Sequence, residues 1–308
     1  MACYHPITAY RSKLGRDPKT GKWPVVFNVS HGYSDLPVIV PCGQCIGCRL
    51  ERSRQWAIRC VHEASLFEFN CFLTLTYREE SLPSVVDPST GEILPTLLYR
   101  DYVLFMKRFR KRFGNGIRFF MCGEYGEQFS RPHYHAVIFN FDFSDKYLWS
   151  IRQGVRLYRS PSLEELWFHG QSTIGSVTFE SAAYVARYIV KKITGDMAES
   201  HYAGRKPEFT NMSRRPGIGH DWFVKYQDDV YPSDKCVVRP GLISRPPRYY
   251  DNLYDLSNSD KFVKIKDRRR KAAKEATDNS YERLAVKERV QYCRFKKLIR
   301  PFESSSQL

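Results

Sequence analysis

The sequence predicts an α+β fold, on three observations. Two-residue alternation marks strands at C-F-L-T-L-T-Y (71–77), at 117–124 and at 133–141. Apolar residues at helical spacing mark helices before, between and after them. Eight residues, Gly126 and Pro132 among them, separate the second strand from the third, a length that suits a hairpin.

In chain order, residues 1–40 read as loop, with Gly, Pro and Asp scattered through them. P-C-G-Q-C-I-G-C follows and carries Cys42, Cys45 and Cys48. A helix is expected over 49–66, with Trp56, Ile58 and Val61 among its apolar positions. After the strand at 71–77, three prolines make 81–96 a loop. Asp101 is placed to cap the next helix, on which Tyr102, Phe105, Met106, Phe109 and Phe113 share one face and Lys and Arg the other; Gly114 ends it. The two hairpin strands come next, then a short helix near 163–167 and a strand S-V-T-F-E at 176–180. Ser181 opens a helix running to about Thr194 and closed by Gly195. Beyond it the chain is rich in loops, including R-R-P-G-I-G at 214–219 and R-P-P-R-Y-Y at 245–250. From Lys261 onward it is strongly basic, with some helical pattern but little core.

The chain has 308 residues, enough for one large or two modest domains. At 42% hydrophobic it can build a core, which excludes global disorder. A net charge of +16 points to a polyanionic partner, and nucleic acid is the commonest one. Aromatic residues make up 15%, which suits stacking on unpaired bases as well as core filling. No run approaches the roughly 20 apolar residues of a membrane span, and the N-terminus has no apolar run of signal-peptide length. The expectation is a cytoplasmic protein without membrane contact. There, nine cysteines read as thiols or metal ligands.

R-P-H-Y-H-A-V-I-F carries the first candidate site. Residues two apart in a strand share a face, so His133 and His135 project together and Tyr134 faces away. Two neutral imidazoles side by side can hold one divalent ion. Glu124 ends the preceding strand and in the hairpin falls roughly opposite His133, giving a third ligand. Glu127 is the alternative if the hairpin is longer, and Asn and Thr are further candidates. Alone, such a pair is equally compatible with two polar residues on a half-exposed sheet. The helix S-A-A-Y-V-A-R-Y-I-V-K-K-I-T-G supplies a second constellation. At about 100° per residue, Ala182, Val185, Ala186, Ile189 and Ile193 form a core stripe. Tyr184, Tyr188 and Lys191 stack on the opposite side, on a face the core does not need. Tyrosine is a nucleophile with a free pKa of about 10, which a nearby cation can favour as phenolate.

F-L-T-L-T-Y, then R-P-H-Y-H-A-V-I-F, then Y-V-A-R-Y-I-V-K-K occur in that order. The set resembles the three-motif layout of HUH endonucleases, the rolling-circle replication initiators, and most closely those of microvirus-type single-stranded DNA phages of the gokushovirus branch. The match spans roughly residues 42–219. The resemblance implies a central antiparallel sheet with packed helices, as in RNA-recognition-like palms. It implies His133 and His135 as ligands of Mg²⁺ or Mn²⁺, with Glu124 the inferred third. Tyr184 and Tyr188 are the implied nucleophiles and Lys191 the motif lysine. The implied activity is nicking and joining of single-stranded or supercoiled phage origin DNA through a 5′-phosphotyrosine, in a bacterial host's cytoplasm, with the host's helicase and polymerase as partners. G-R-D-P-K-T-G-K-W at 15–23 is no phosphate loop: it has one residue too many between its glycines, and Trp follows the lysine.

Cys42, Cys45 and Cys48 offer three thiolates in one tight turn. Cys3 is the favoured fourth ligand, with His5, Cys60 and His62 as alternatives. Structural Zn²⁺ suits such a site, an iron–sulfur cluster is another occupant, and free thiols near a glycine turn are the plain alternative. Arg131, Lys192, Arg214, Arg215, Arg268, Arg269 and Arg270 are candidate DNA contacts, and the basic tail adds salt-sensitive affinity without reading sequence. The expected organisation is a cysteine-bearing arm over 1–50, the endonuclease domain over 51–230 and a loop-rich, basic extension over 231–308. Two other functions fit the same residues: a non-catalytic, zinc-dependent nucleic-acid-binding protein, and a relaxase or transposase of the same chemistry.

Overall fold

The structure is a computed structural model. It describes residues 3–18, 23–126, 129–152, 154–193, 195, 197–275 and 278–297, and of 187–191 the backbone alone. Two compact units divide the chain: Met1–Glu51 with Lys274–Leu298, and Arg52–Ala273 with Ile299–Leu308. The class is α+β, as expected, with a seven-stranded antiparallel sheet at its centre.

Three strands occupy the first forty residues, where loop was expected: β1 (Ile7–Ser12), β2 (Val25–Val26) and β3 (Gly32–Val40), in the order β2-β1-β3. Their side chains are largely exposed on both faces, so no hydrophobic alternation announces them; backbone pairing alone defines the strands. Helix α1 (Ile46–Ala64) follows the cysteine turn.

Strand β4 (Asn70–Tyr77) opens the large sheet. Within the expected loop at 81–96 lies a small hairpin, β5 (Ser84–Val86) and β6 (Ile93–Pro95), turned by Asp87, whose carboxylate accepts the Ser89 N–H at 2.8 Å. Helix α2 (Tyr99–Phe113) starts two residues before the expected cap. Asp101 instead sits in its first turn, where the helix dipole favours a carboxylate, and accepts from the Tyr77 hydroxyl at 2.7 Å. Gly114 closes the helix at φ +99°, a conformation that favours glycine.

The hairpin strands are β7 (Arg118–Tyr125) and β8 (Pro132–Phe139). A second hairpin, β9 (Tyr147–Arg152) and β10 (Val155–Arg159), precedes α3 (Pro161–Leu166) and β11 (Gly170–Gly175). Glycine is required at 170: a Cβ there would collide with the Thr76 carbonyl oxygen and the Arg78 backbone nitrogen. S-V-T-F-E is not a strand. Thr178 and Ser181 exchange bonds, Thr178 N–H to Ser181 Oγ at 2.8 Å and Ser181 N–H to Thr178 Oγ1 at 3.1 Å, and this reciprocal cap starts α4 (Phe179–Lys191). The chain continues through α5 (Met197–Tyr202), β12 (Phe209–Met212), α6 (His220–Val230), the hairpin β13 (Cys236–Arg239) and β14 (Leu242–Ser244), α7 (Arg248–Ser257), α8 (Ser259–Glu275) and α9 (Tyr281–Lys296).

The large sheet runs β12-β7-β8-β4-β11-β10-β9, antiparallel at every pairing. One face carries Leu73, Leu75, Tyr77, Met121, Tyr134, Ala136 and Ile138, covered by Phe105 and Phe109 of α2 and by Leu163 and Leu166 of α3. Trp167 lies fully buried in this layer and donates its indole N–H to the Thr76 carbonyl at 3.1 Å. The opposite face carries Phe72, Phe120, Cys122, Val137 and Phe139, covered by Ala57 and Cys60 of α1 and by Ala182, Val185 and Ala186 of α4. A third cluster gathers Ile58, Trp222, Phe223, Tyr231, Tyr250, Tyr254, Phe262 and Ile265. Phe262 and Ile265 are thus core residues inside the basic stretch where little core was expected. No helix among the described residues is long and apolar enough to cross a membrane.

His62 sits in the third cluster. Its ring stacks on Trp222 at 3.5 Å between centroids, Nε2–H donates to the Val237 carbonyl at 3.0 Å, and Nδ1 accepts from the Tyr250 hydroxyl at 3.0 Å. Burial pushes its pKa down to about 4, only partly offset by the Val237 carbonyl. The unfolded chain takes up this proton near 6.5, so folding is undisturbed above that pH and is opposed progressively as pH falls toward 4. Urea unfolding across that window is expected to show a loss on the order of 3 kcal/mol from this residue, with a flatter profile in His62→Gln; identical slopes in the two proteins would contradict it.

Candidate metal centre and tyrosine helix

Register on three adjacent strands assembles the first site. Glu124 of β7 pairs directly with His133 of β8, and His135 pairs with Thr74 of β4 on its other side. The alternation of β8 sends both imidazoles to the face that α4 covers. Tyr134 goes to the other face, where its hydroxyl donates to the Leu98 carbonyl at 2.8 Å.

The donor atoms converge. Glu124 Oε1 lies 2.9 Å from His133 Nε2 and 2.8 Å from His135 Nε2. Glu124, His133 and His135 can each present one ligand atom within 4.8 Å of the others. The second nitrogen of each ring is held from behind: His133 Nδ1 lies 3.0 Å from the Arg131 carbonyl and His135 Nδ1 2.9 Å from Thr74 Oγ1. A carbonyl only accepts, so His133 Nδ1 carries hydrogen, and in the neutral ring Nε2 presents a lone pair to the carboxylate. Two acceptors 2.9 Å apart in a buried site are stable only with a cation between them, either a proton or a metal. Two imidazoles and a carboxylate are a donor set that fits a divalent ion. Burial alone would raise the Glu124 carboxyl, but the two imidazoles outweigh it and hold the pKa below the ordinary value.

Helix α4 brings Tyr184 to this site. Its ring stands edge-on to His135 at 5.0 Å between centroids and edge-on to Phe72 at 6.4 Å. The expected solvated face is not where it lies: Tyr184 is 2% exposed. Alanines at 182, 183 and 186 keep the helix surface low, and α4 packs close enough to the sheet to draw Tyr184 into the contact layer. Tyr188 lies one helical turn further along α4; its side chain, that of Lys191, and Glu127 as a whole lie outside the described residues.

Cys3, Cys42, Cys45 and Cys48 form the second group, with one sulfur of each within 4.8 Å of the others. Burial alone would raise the Cys42 thiol, but the backbone N–H groups of Cys45 and Gln44 bring it down to about 7. The alternative fourth ligands are engaged elsewhere. His5 pairs with Glu288 at 2.6 Å, Cys60 lies under the sheet, and His62 belongs to the third cluster.

A family model for replication-associated proteins of the ORF2 type matches residues 70–193. The chain is 34% identical over 232 residues to replication-associated protein VP4 of Bdellovibrio phage phiMH2K, covering 72% of this chain and 70% of that protein. It is 30% identical over 289 residues to replication-associated protein ORF2 of Spiroplasma virus 4, covering 89% and 87%. The chain belongs to this family of replication-associated proteins. A third relative, replication-associated protein ORF4 of Chlamydia phage 1, is 31% identical over 234 residues, which are 72% of this chain and 55% of that one. No solved structure matches.

The family match runs from the first residue of β4 to just past α4. It therefore contains Thr74, Glu124, His133, His135, Tyr184, Tyr188 and Lys191 and leaves out the four cysteines. Of the basic residues expected at DNA in this replication-associated protein, Arg214, Arg215, Arg268 and Arg270 are exposed. Arg131 bonds the Tyr77 carbonyl and Glu79, both at 3.0 Å, and Lys192 follows α4 directly. Arg269 is committed to the fold, its guanidinium shared between Asp234 and Asp251. Thr74 is the site residue that sequence reasoning named only as a residue type. Threonine is an ordinary strand former, and its place beside His135 is visible only once the β4–β8 register is known.

Calorimetric titration with Mn²⁺ is expected to show one site. Thr74→Val, which frees His135 Nδ1 from its partner, should weaken it roughly 10- to 100-fold. Unchanged affinity in both Thr74→Val and Glu124→Gln would place the ion elsewhere.

Proposed function

We propose that this phage replication-associated protein nicks and rejoins single-stranded DNA by tyrosine transesterification, opening and closing rounds of rolling-circle replication. The observation that carries the reading is a tyrosine helix packed at ring contact on a buried Glu-His-His cluster. The ordered three-motif resemblance and the family membership support it.

When bound, a divalent ion at Glu124, His133 and His135 polarises the scissile phosphate. Thr74 and the Arg131 carbonyl fix the imidazole tautomers, so both Nε2 lone pairs face the same point. The phenol oxygen of Tyr184 or Tyr188 attacks phosphorus and loses its proton. The P–O3′ bond breaks, leaving the 5′ phosphate esterified to the enzyme and a free 3′-OH for a host polymerase. Later a 3′-OH attacks that ester, tyrosine leaves, and the strand is rejoined without ATP because the ester keeps the bond energy. Two tyrosines at i and i+4 allow one to hold an end while the other cuts. Lys191 neutralises phosphate charge in this scheme, and the exposed arginines track the backbone.

Incubation with single-stranded phage-origin DNA and Mn²⁺ is expected to yield a denaturation-resistant protein–DNA adduct. Tyr184→Phe and Tyr188→Phe each retain part of it, and the double variant retains none. An adduct in the double variant would remove these tyrosines from the mechanism. Binding without adduct in the unaltered protein would favour the non-catalytic alternative.

A further inference from the structure

The cysteine group is chemically distinct from the proposed nuclease site, and the family match leaves it out. Its sulfurs lie within 4.8 Å of one another, Cys42 Sγ and Cys48 Sγ at 4.0 Å. A tetrahedral zinc site with Zn–S bonds of about 2.3 Å has edges of about 3.8 Å. A multi-iron cluster places bridged irons between its cysteines and spreads them further. Three of the four sulfurs already accept backbone N–H groups: Cys3 from Cys42 at 3.3 Å, Cys42 from Cys45 at 3.3 Å and Cys45 from Tyr4 at 3.4 Å. Cys48 lies in the first turn of α1, where the helix dipole favours a thiolate.

The surrounding unit gives such a site a task. Among its described residues the buried apolar ones are Cys3, Ala9, Cys45 and Ile46, so half of them are candidate ligands. Strands β1 and β3 carry largely exposed side chains, and α9 buries none. Chains with so little core need another constraint to hold one fold. The β1–β3 ladder ends at the pair Ile7 and Val40, and Cys3 and Cys42 stand just beyond that end on the two strands. An ion bound there closes the open end of the ladder and ties it to the start of α1.

We infer that Cys3, Cys42, Cys45 and Cys48 bind one structural zinc ion that holds the N-terminal unit in its fold. The inference does not depend on the nuclease reading. Soft thiolates select zinc where the imidazole–carboxylate site takes a harder ion, and closed four-ligand sites are structural.

The full-length protein, purified without added metal, is expected to carry about one zinc per chain. Replacement by Co²⁺ should give the visible bands of tetrahedral cobalt and a thiolate-to-cobalt charge-transfer band in the near ultraviolet. Chelation should remove hydrogen-exchange protection from 7–12 and 32–40 while β4, β7 and β8 keep theirs. His133→Ala/His135→Ala should retain the zinc; Cys42→Ser/Cys48→Ser should lose it. If that cysteine variant fails to fold, the cobalt spectrum of the unaltered protein decides alone. A metal-free protein, a disulfide among the four cysteines, an iron chromophore, or zinc lost only with the histidines would each overturn the assignment.

Discussion

The two-residue period of β8 sorts its side chains onto opposite faces of the sheet, and the rest of the arrangement follows from that division. Tyr134, Ala136 and Ile138 enter the layer under α2 and α3. His133 and His135 enter the layer under α4, beside Val137 and Phe139 of the same strand. Strand β8 has neighbours on both sides, so β7 can offer a carboxylate to one imidazole while β4 offers a hydroxyl to the other. An edge strand could not have been served from two directions. Charged and polar groups tolerate burial here because each faces a partner across a fixed strand spacing of about 4.7–4.9 Å.

The histidines and glutamate sit at the bottom of a layer otherwise built from Phe72, Phe120, Val137 and Phe139. An apolar surround strengthens every electrostatic interaction inside it. It also means that the convergence of three donor groups is no accident of a solvated surface, where acidic and imidazole side chains meet freely. The cysteine group stands in the opposite setting: a thin unit with almost no apolar interior, in which the polarizable sulfurs are themselves much of what is buried.

Much of this was legible in the sequence. Strong alternation located β4, β7 and β8, and hairpin length set Glu124 opposite His133, because register in a short hairpin leaves few choices. The helical stripe of α2 was equally plain. What escaped was structure without a hydrophobic signature. Strands β1 to β3 expose most of their side chains, and β5 and β6 sit among prolines. The third cluster is assembled from aromatic residues spaced far apart in the chain, so no local window contains its pattern. Two errors came from local rules that tertiary structure outranked. S-V-T-F-E alternates like a strand, but the Thr178–Ser181 exchange makes it a helix start. A wheel placed Tyr184 opposite the core stripe, yet a helix faced with alanine lies close enough to the sheet for that side to be covered too.

The reciprocal cap at Thr178 and Ser181 also sets the rotational phase of α4. Each residue turns the helix by about 100°. Inserting or deleting one amino acid between β11 and the cap would leave that phase untouched, since the cap would travel with the helix. The same change inside the first turn would swing Tyr184 a quarter turn or more from His135 and carry an alanine into its place. The tolerance of this segment to length variation therefore changes abruptly at a single pair of hydroxyls, with freedom upstream of them and strict count downstream.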